Sequence, residues 1–266
     1  MSFSVQGKTA IVTGAANGIG LSIARHLADK GANVMCADAH EKKLIEELGD
    51  NQEDGNVRTF AGDLRQRLTI ANLVSATIDA FDQVDILVNA SRQVLLTDAL
   101  DVEDTSVRTL LDQNLMTALL LSQYVAKRMM KQAETQEEGQ VGSIINLSSI
   151  ASSQLQPELM GYSISAAAVQ QMTRTMALVL APERIRVNAI AFGSVMSESL
   201  RASVAENREW RDDIRKNTPL GRIAAPTELC ETVQYLAADS SAFVTGEVLV
   251  VDGGRSLLDV VRAPAH

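Results

Sequence analysis

Thr9-Ala10-Ile11-Val12-Thr13-Gly14-Ala15-Ala16-Asn17-Gly18-Ile19-Gly20 joins a short apolar run to a glycine-rich turn and then to a helical pattern. Thr9 to Thr13 reads as a strand, and the helical signal runs from Ile19 to Lys30. The glycines permit a tight turn and let backbone come close to a ligand. The first turn of the helix adds unpaired N–H groups and the positive end of a dipole. Between a strand and a helix, such a turn predicts a seat for a diphosphate, with Gly14, Asn17, Gly18, Ile19 and Gly20 as its contacts.

Outward from this turn the alternation repeats. Further strands are expected at Asn33 to Asp38, Val57 to Ala61, Asp85 to Ala90, Gly142 to Leu147, Ile185 to Ala191 and Glu247 to Val251. Ile86-Leu87-Val88 and Val248-Leu249-Val250-Val251 are apolar without alternation, as in a parallel sheet covered on both faces. Further helices are expected at Arg65 to Phe81, Ser106 to Lys131, Tyr162 to Ala181 and Pro226 to Ala238, the last with proline in its first turn. The order predicts an α/β fold: a doubly wound, seven-stranded parallel sheet flanked by helices, in one domain over residues 1–266. The stretch from Ser194 to Asn217 follows the sixth strand and is expected to cover a substrate, the plainer alternative being a surface insertion.

With 46% hydrophobic and 21% charged residues, the chain has an ordinary globular composition. A formal charge of -9 argues against a nucleic-acid partner, because phosphate-backbone binding needs clustered Lys and Arg. Cys36 and Cys230 are too few for a disulfide framework, Met1 to Lys8 holds no apolar signal core, and no apolar run suits a bilayer. A reducing cytoplasm is expected, with no membrane partner. His26, His40 and His266 are scattered, so no metal is expected. Asn89-Ala90-Ser91 and Asn146-Leu147-Ser148 match a glycosylation pattern but close buried strands, and read as chance.

Asp38 ends the second strand about twenty residues beyond the glycine turn, where a carboxylate accepts hydrogen bonds from ribose hydroxyls and repels a 2′-phosphate. This predicts NAD(H) rather than NADP(H). The alternative is that Asp38 only starts a turn with His40.

These residues, with others downstream, resemble the short-chain dehydrogenase/reductase family. Thr13 to Gly20 is similar to its TGxxxGxG fingerprint, and Asp63-Leu64 to its adenine-contacting pair. Asn114, Ile145 to Ser149, Tyr162, Asn188-Ala189, Pro219 to Arg222 and Val251 to Gly254 extend the likeness over roughly residues 7 to 254. The resemblance implies a Rossmann fold, a homotetramer or homodimer, and a small alcohol or ketone substrate. It also implies cofactor contacts at Asn89, Ala90, Tyr162, Gly193, Val195 and Ser197.

By the same resemblance, Ser149 polarises the substrate oxygen, Tyr162 transfers its proton, and Asn114 holds a water in the proton relay. The family lysine belongs four residues after the tyrosine, where this chain has Ala166. Unit charges 4 Å apart interact by roughly 4 kcal/mol at an effective dielectric of 20, about a thousandfold in acidity. A phenol without that help donates a proton to a carbonyl but is a poor base for alcohol oxidation. Two further departures lie nearby. Asn89-Ala90-Ser91-Arg92 stands where the family shows Asn-Asn-Ala-Gly, and Phe192-Gly193 replaces Pro-Gly, with Phe192 set to narrow the nicotinamide pocket. Arg92 is either an exposed loop residue or a partial replacement for the ammonium.

Three functional readings follow. The first is an NAD-dependent oxidoreductase acting on a secondary alcohol or ketone and altered by Ala166. The second is an NAD(H)-binding sensor or scaffold of the same fold without catalysis. The third is an ordinary enzyme into which Ala166 was introduced. The expected pocket residues Gln93, Val94, Ser152, Gln154 and Leu155 hold no charge pair that names a substrate.

Overall fold

The computed structural model describes residues 2–49 and 55–259, so His266 lies outside the described residues. Its strands are β1 (Thr9–Thr13), β2 (Asn33–Asp38), β3 (Val57–Ala61), β4 (Ile86–Asn89), β5 (Gly142–Ser149), β6 (Ile185–Phe192) and β7 (Val248–Val251). Its helices are α1 (Gly18–Asp29), α2 (Glu41–Leu48), α3 (Arg67–Phe81), α4 (Ser106–Leu110), α5 (Thr117–Gln132), α6 (Met160–Leu180), α7 (Glu198–Glu206), α8 (Arg208–Lys216) and α9 (Thr227–Ala237). The strands form one sheet in the order β3-β2-β1-β4-β5-β6-β7. Every pairing is parallel. This is the doubly wound Rossmann sheet that the strand pattern predicts.

Side chains alternate across the strands and so feed two cores. Val12, Val34, Val88, Ile145 and Ile190 pack with Ile23, Leu27, Val233 and Leu236 of α1 and α9. Ile11, Leu87, Ile144 and Val187 pack on the other face with Leu73, Leu121, Val125 and Met129 of α3 and α5. Strand order reverses between β1 and β4, and the crevice outside their carboxyl ends is where such sheets bind ligands.

Several expectations need correction. Helix α2 has no counterpart in the sequence reading, because only Leu44 of its eight residues is buried and apolar periodicity is too thin to show it. The helix expected to run unbroken from Ser106 to Lys131 carries a π turn over Leu111–Met116 between α4 and α5. The stretch 194–217 is largely helical, as α7 and α8. Helix α8 buries none of its residues and leaves Trp210 exposed, and among its seven charged positions only Trp210 and Ile214 are apolar, too few to mark a core helix. Pro226 is the N-cap of α9 rather than a residue of its first turn. Strands β5 and β6 run on to Ser149 and Phe192, which pair with each other.

Candidate active site

The turn after β1 is shaped by what its glycines lack. A Cβ on Gly14, whose φ is +67°, would stand 2.9 Å from the Ser91 Cα, and one on Gly20 would stand 2.1 Å from the Gly14 carbonyl oxygen. Backbone therefore packs on backbone from Gly14 to the exit of β4. Helix α1 follows with no side-chain cap and no acidic residue in its first turn, which leaves its N-terminal N–H groups to an incoming anion. Ile19 is buried beneath them and Asn17 is exposed.

Asp38 closes the cradle. One carboxylate oxygen accepts the Ala16 N–H at 3.1 Å and the other accepts the His40 N–H at 3.0 Å. The turn with His40 thus exists, and the same carboxylate ties the glycine turn to the end of β2. An ionised carboxylate has about four acceptor positions, so two remain for ribose hydroxyls. An uncapped helix start, a glycine cradle and a facing carboxylate fit a dinucleotide.

Asp63 is held by Arg65, whose Nη2 lies 2.7 Å from Oδ2. That side-chain hydrogen bond keeps the Asp63 carboxyl below the usual carboxylate range. Arg65 is exposed and Asp63 partly so, and the pair adds little stability. Leu64 beside it is buried in the core.

Tyr162 stands near the start of α6, 7% exposed, against Leu110 and Ala151. Nη1 of Arg92 donates to its hydroxyl oxygen at 2.5 Å, and the guanidinium carbon of Arg92 lies 4.5 Å from the centre of the Phe192 ring. Arg92 is therefore not the exposed loop arginine of the plainer reading. Ala166, one helical turn beyond Tyr162, is buried, and its carbonyl accepts the Ser148 hydroxyl at 3.1 Å. A cavity of about 20 Å³ lies among Asn89, Arg92, Asn146, Tyr162, Ser165 and Ala166. That is room for a single water.

Ser149 is buried at the end of β5, and its hydroxyl accepts the Ala151 N–H at 3.1 Å. Among the described residues no hydrogen bond joins it to Tyr162, and Ala151, which it caps, clusters with Tyr162. Gln170 donates to the Ser148 hydroxyl, the Ser149 carbonyl and the Ser152 hydroxyl at 3.2, 3.3 and 2.8 Å, and so fixes the β5 exit. Sequence reading passed over Gln170, although 162, 166 and 170 share a helix face by their spacing. Asn114 lies in the π turn. Its Oδ1 accepts the Gln93 N–H at 2.8 Å, and its Nδ2 donates to the Gln93 carbonyl at 3.0 Å and to Ser165 Oγ at 3.1 Å.

Beneath the site, Nδ2 of Asn89 donates to Asn146 Oδ1 at 2.8 Å, and Nδ2 of Asn146 donates to Thr173 Oγ1 at 2.9 Å. Both asparagines of the glycosylation-like triplets are thus buried and engaged. Replacing Asn146 with Ala leaves the Asn89 amide without that acceptor, a loss of about 1–3 kcal/mol. A denaturant titration should show that decrease.

At the β6 exit, a Cβ on Gly193 would meet Asp252 Cβ at 2.9 Å, while Val195 is buried and bridges to Ala224. The Ser197 Cβ comes within 3.8 Å of where one on Gly18 would be, so the β6 exit borders the glycine turn. Ala90 and Ser91 both donate their N–H to the Thr13 hydroxyl at 3.0 Å. Thr13 thereby joins the glycine turn to the segment carrying Arg92, a role its place in the strand does not announce. Both cysteines are free and buried, and burial pushes the Cys36 thiol up to about 12, which makes it unreactive.

A family model described as Enoyl-(Acyl carrier protein) reductase matches residues 14–256. The short chain dehydrogenase/reductase astE of Aspergillus oryzae is 32% identical over 260 residues, covering 96% of this chain and 97% of its own. The NAD-dependent glycerol dehydrogenase of Listeria innocua is 28% identical, with 96% of each chain covered. A short-chain type dehydrogenase/reductase from Mycobacterium marinum, of known crystal structure, superposes with a TM-score of 0.83 at 28% identity, over 97% of this chain and 100% of its own. Sheet order, glycine turn and these likenesses agree, and the chain belongs to the short-chain dehydrogenase/reductase family of oxidoreductases.

Proposed function

We propose that this protein is an NAD(H)-dependent oxidoreductase that moves hydride between nicotinamide and a secondary alcohol or ketone. The observation that carries this reading is the meeting, at one edge of the sheet, of an uncapped helix start tied to Asp38 and a buried phenol at Tyr162. Gly14, Asn17, Gly18, Ile19 and Gly20 would hold the diphosphate, Asp38 the adenosine ribose, and Asp63 and Leu64 the adenine. Asn89, Ala90, Gly193, Val195 and Ser197 would border the nicotinamide half. When bound, the nicotinamide supplies the two-electron hydride donor or acceptor. In reduction the Tyr162 hydroxyl gives its proton to the substrate oxygen, to which the Ser149 hydroxyl donates a hydrogen bond. In oxidation the Tyr162 oxygen, its own proton first released to solvent, takes the proton of the alcohol. The asparagine in the π turn serves the relay through Ser165 and Gln93, and α7 and α8 cover the substrate.

Asp38 supports NAD(H) over NADP(H) by charge, and the name of the Listeria relative agrees with that choice. Asp38→Asn keeps the shape and removes the charge, which weakens its hydrogen bonds by about 1–2 kcal/mol. NADH affinity should then fall about 5–30-fold, and the preference for NADH over NADPH should narrow. Calorimetry with both coenzymes checks this, and an unchanged preference removes Asp38 from the selection.

A homotetramer or homodimer is the assembly we propose. Exposed apolar side chains at Leu178, Val179, Phe243 and, on the edge strand β7, Val250 favour it. Among the described residues no helix is long and apolar enough to cross a membrane. The two free thiols favour the cytoplasm as the compartment.

Ala166 favours a second reading, a sensor or scaffold that binds NAD(H) without turnover. Titration with NADH followed by a panel of alcohols and ketones separates the two. Hydride transfer supports the oxidoreductase, binding with no transfer on any substrate assigns the second reading, and no binding of either redox form overturns both.

A further inference from the structure

We infer that Arg92 supplies, from the β4 exit, the positive charge that α6 does not supply, and that it holds the Tyr162 oxygen and stabilises it when its proton leaves. This rests on the oxidoreductase reading above. A phenol that must act as a base needs a cation at its oxygen, and residue 166, one turn along the helix, is an alanine. Arg92 and Tyr162 are the only titratable groups among the residues lining the cavity between Tyr162 and Ala166. Leu95, Leu110, Ala151 and Leu159, which pack on Tyr162 from the neighbouring segments, carry no charge. Among these lining and packing residues nothing else can do the work of an ammonium.

The guanidinium is held in place from three directions. Its Nη1 meets the phenol oxygen at 2.5 Å. Its central carbon lies 4.5 Å from the centre of the Phe192 ring, and Phe192 is 2% exposed and fixed by pairing at the end of β6. Its backbone is bracketed, because the N–H groups of residues 90 and 91 go to the Thr13 hydroxyl and both polar groups of Gln93 go to the Asn114 side chain. The departures at 92 and 192 therefore form one device: an arginine reaching across to the tyrosine and an aromatic ring that carries it. A guanidinium stays protonated throughout the working pH range, so it is a fixed charge and takes no part in proton transfer itself. The proton of the alcohol passes to the Tyr162 oxygen, and Arg92 is a positioning residue.

Ala166→Lys alone should bring no gain in alcohol oxidation, since two cations would compete for one oxygen. Ala166→Lys together with Arg92→Gly should exceed both single variants.

The test combines kinetics with a titration that needs no substrate. In Arg92→Ala, alcohol oxidation at neutral pH should fall about a hundredfold, within the range for assisting an acid or base. The rising limb of its pH–rate profile should move to higher pH, while NADH affinity stays within a few-fold. Arg92→Lys should recover part of the loss. Near-ultraviolet titration, with Tyr162→Phe subtracted to remove Tyr124 and Tyr235, should show the tyrosinate band of Tyr162 emerging at higher pH in Arg92→Ala than in the parent. Faster turnover in Arg92→Ala, as for a side chain that only obstructs the cleft, overturns the inference. So does a titration that does not move in a variant whose circular dichroism is unchanged. Should the chain turn over no substrate, the titration still decides the role of Arg92 independently of the proposed activity.

Discussion

Tyr162→Phe is expected to lower turnover about 10²–10⁴-fold at neutral pH, the usual span for removing a general acid or base, and to leave NADH binding nearly as it was. The ring of residue 162 is buried against Leu110 and Ala151, and phenylalanine keeps those contacts. What disappears is one oxygen, the acceptor of the Arg92 hydrogen bond and, in the proposed chemistry, the carrier of the proton. The proposed diphosphate and adenosine contacts lie at the other end of the crevice, on the glycine turn and Asp38, and no atom there changes. A variant that turns over within a few-fold of the parent would remove the phenol from the chemistry; a variant that fails to bind NADH would show that residue 162 shapes the cleft instead.

The second large effect belongs to the glycine turn. Gly20→Ala places a methyl 2.1 Å from the Gly14 oxygen, 2.7 Å from the Gly14 carbonyl carbon and 3.0 Å from the Thr13 oxygen, all main-chain atoms. No flexible side chain can yield, so the turn itself must move. Overpacking of this kind costs about 1–3 kcal/mol, and it falls on the loop whose free N–H groups we propose bind the diphosphate. NADH affinity should drop about 5–150-fold, with a lower melting temperature. Calorimetry and thermal unfolding together check this. An alanine variant that binds NADH like the parent would separate the turn from the nucleotide.

The sheet was legible because it leaves a strong trace. Strands covered on both faces must be apolar at successive positions, as Ile86, Leu87 and Val88 are, whereas α2 buries only Leu44 and leaves almost none. The π turn was hidden for a different reason: Leu111 to Met116 has no composition that sets it apart from the helix on either side, and tertiary bonds from Asn114 to Gln93 and Ser165 accompany the local change. At the candidate site, Gly14, Gly20 and Asp38 could be singled out because the pattern that marks them is local to one crossover. Arg92 and Phe192 stood out one at a time as departures, yet their pairing spans a hundred positions and depends on β4 and β6 flanking β5. No spacing rule within a single element expresses such a contact.

One hydroxyl, that of Thr13, receives two amides of the segment that bears Arg92, while the main chain at Gly14 packs closely on the same segment. An occupant of the nucleotide end and an event at the phenol therefore act on a shared mechanical element. Thermodynamic reciprocity then binds the two: whatever factor the coenzyme applies to the balance between engaged and withdrawn guanidinium, that balance returns to coenzyme affinity in equal measure.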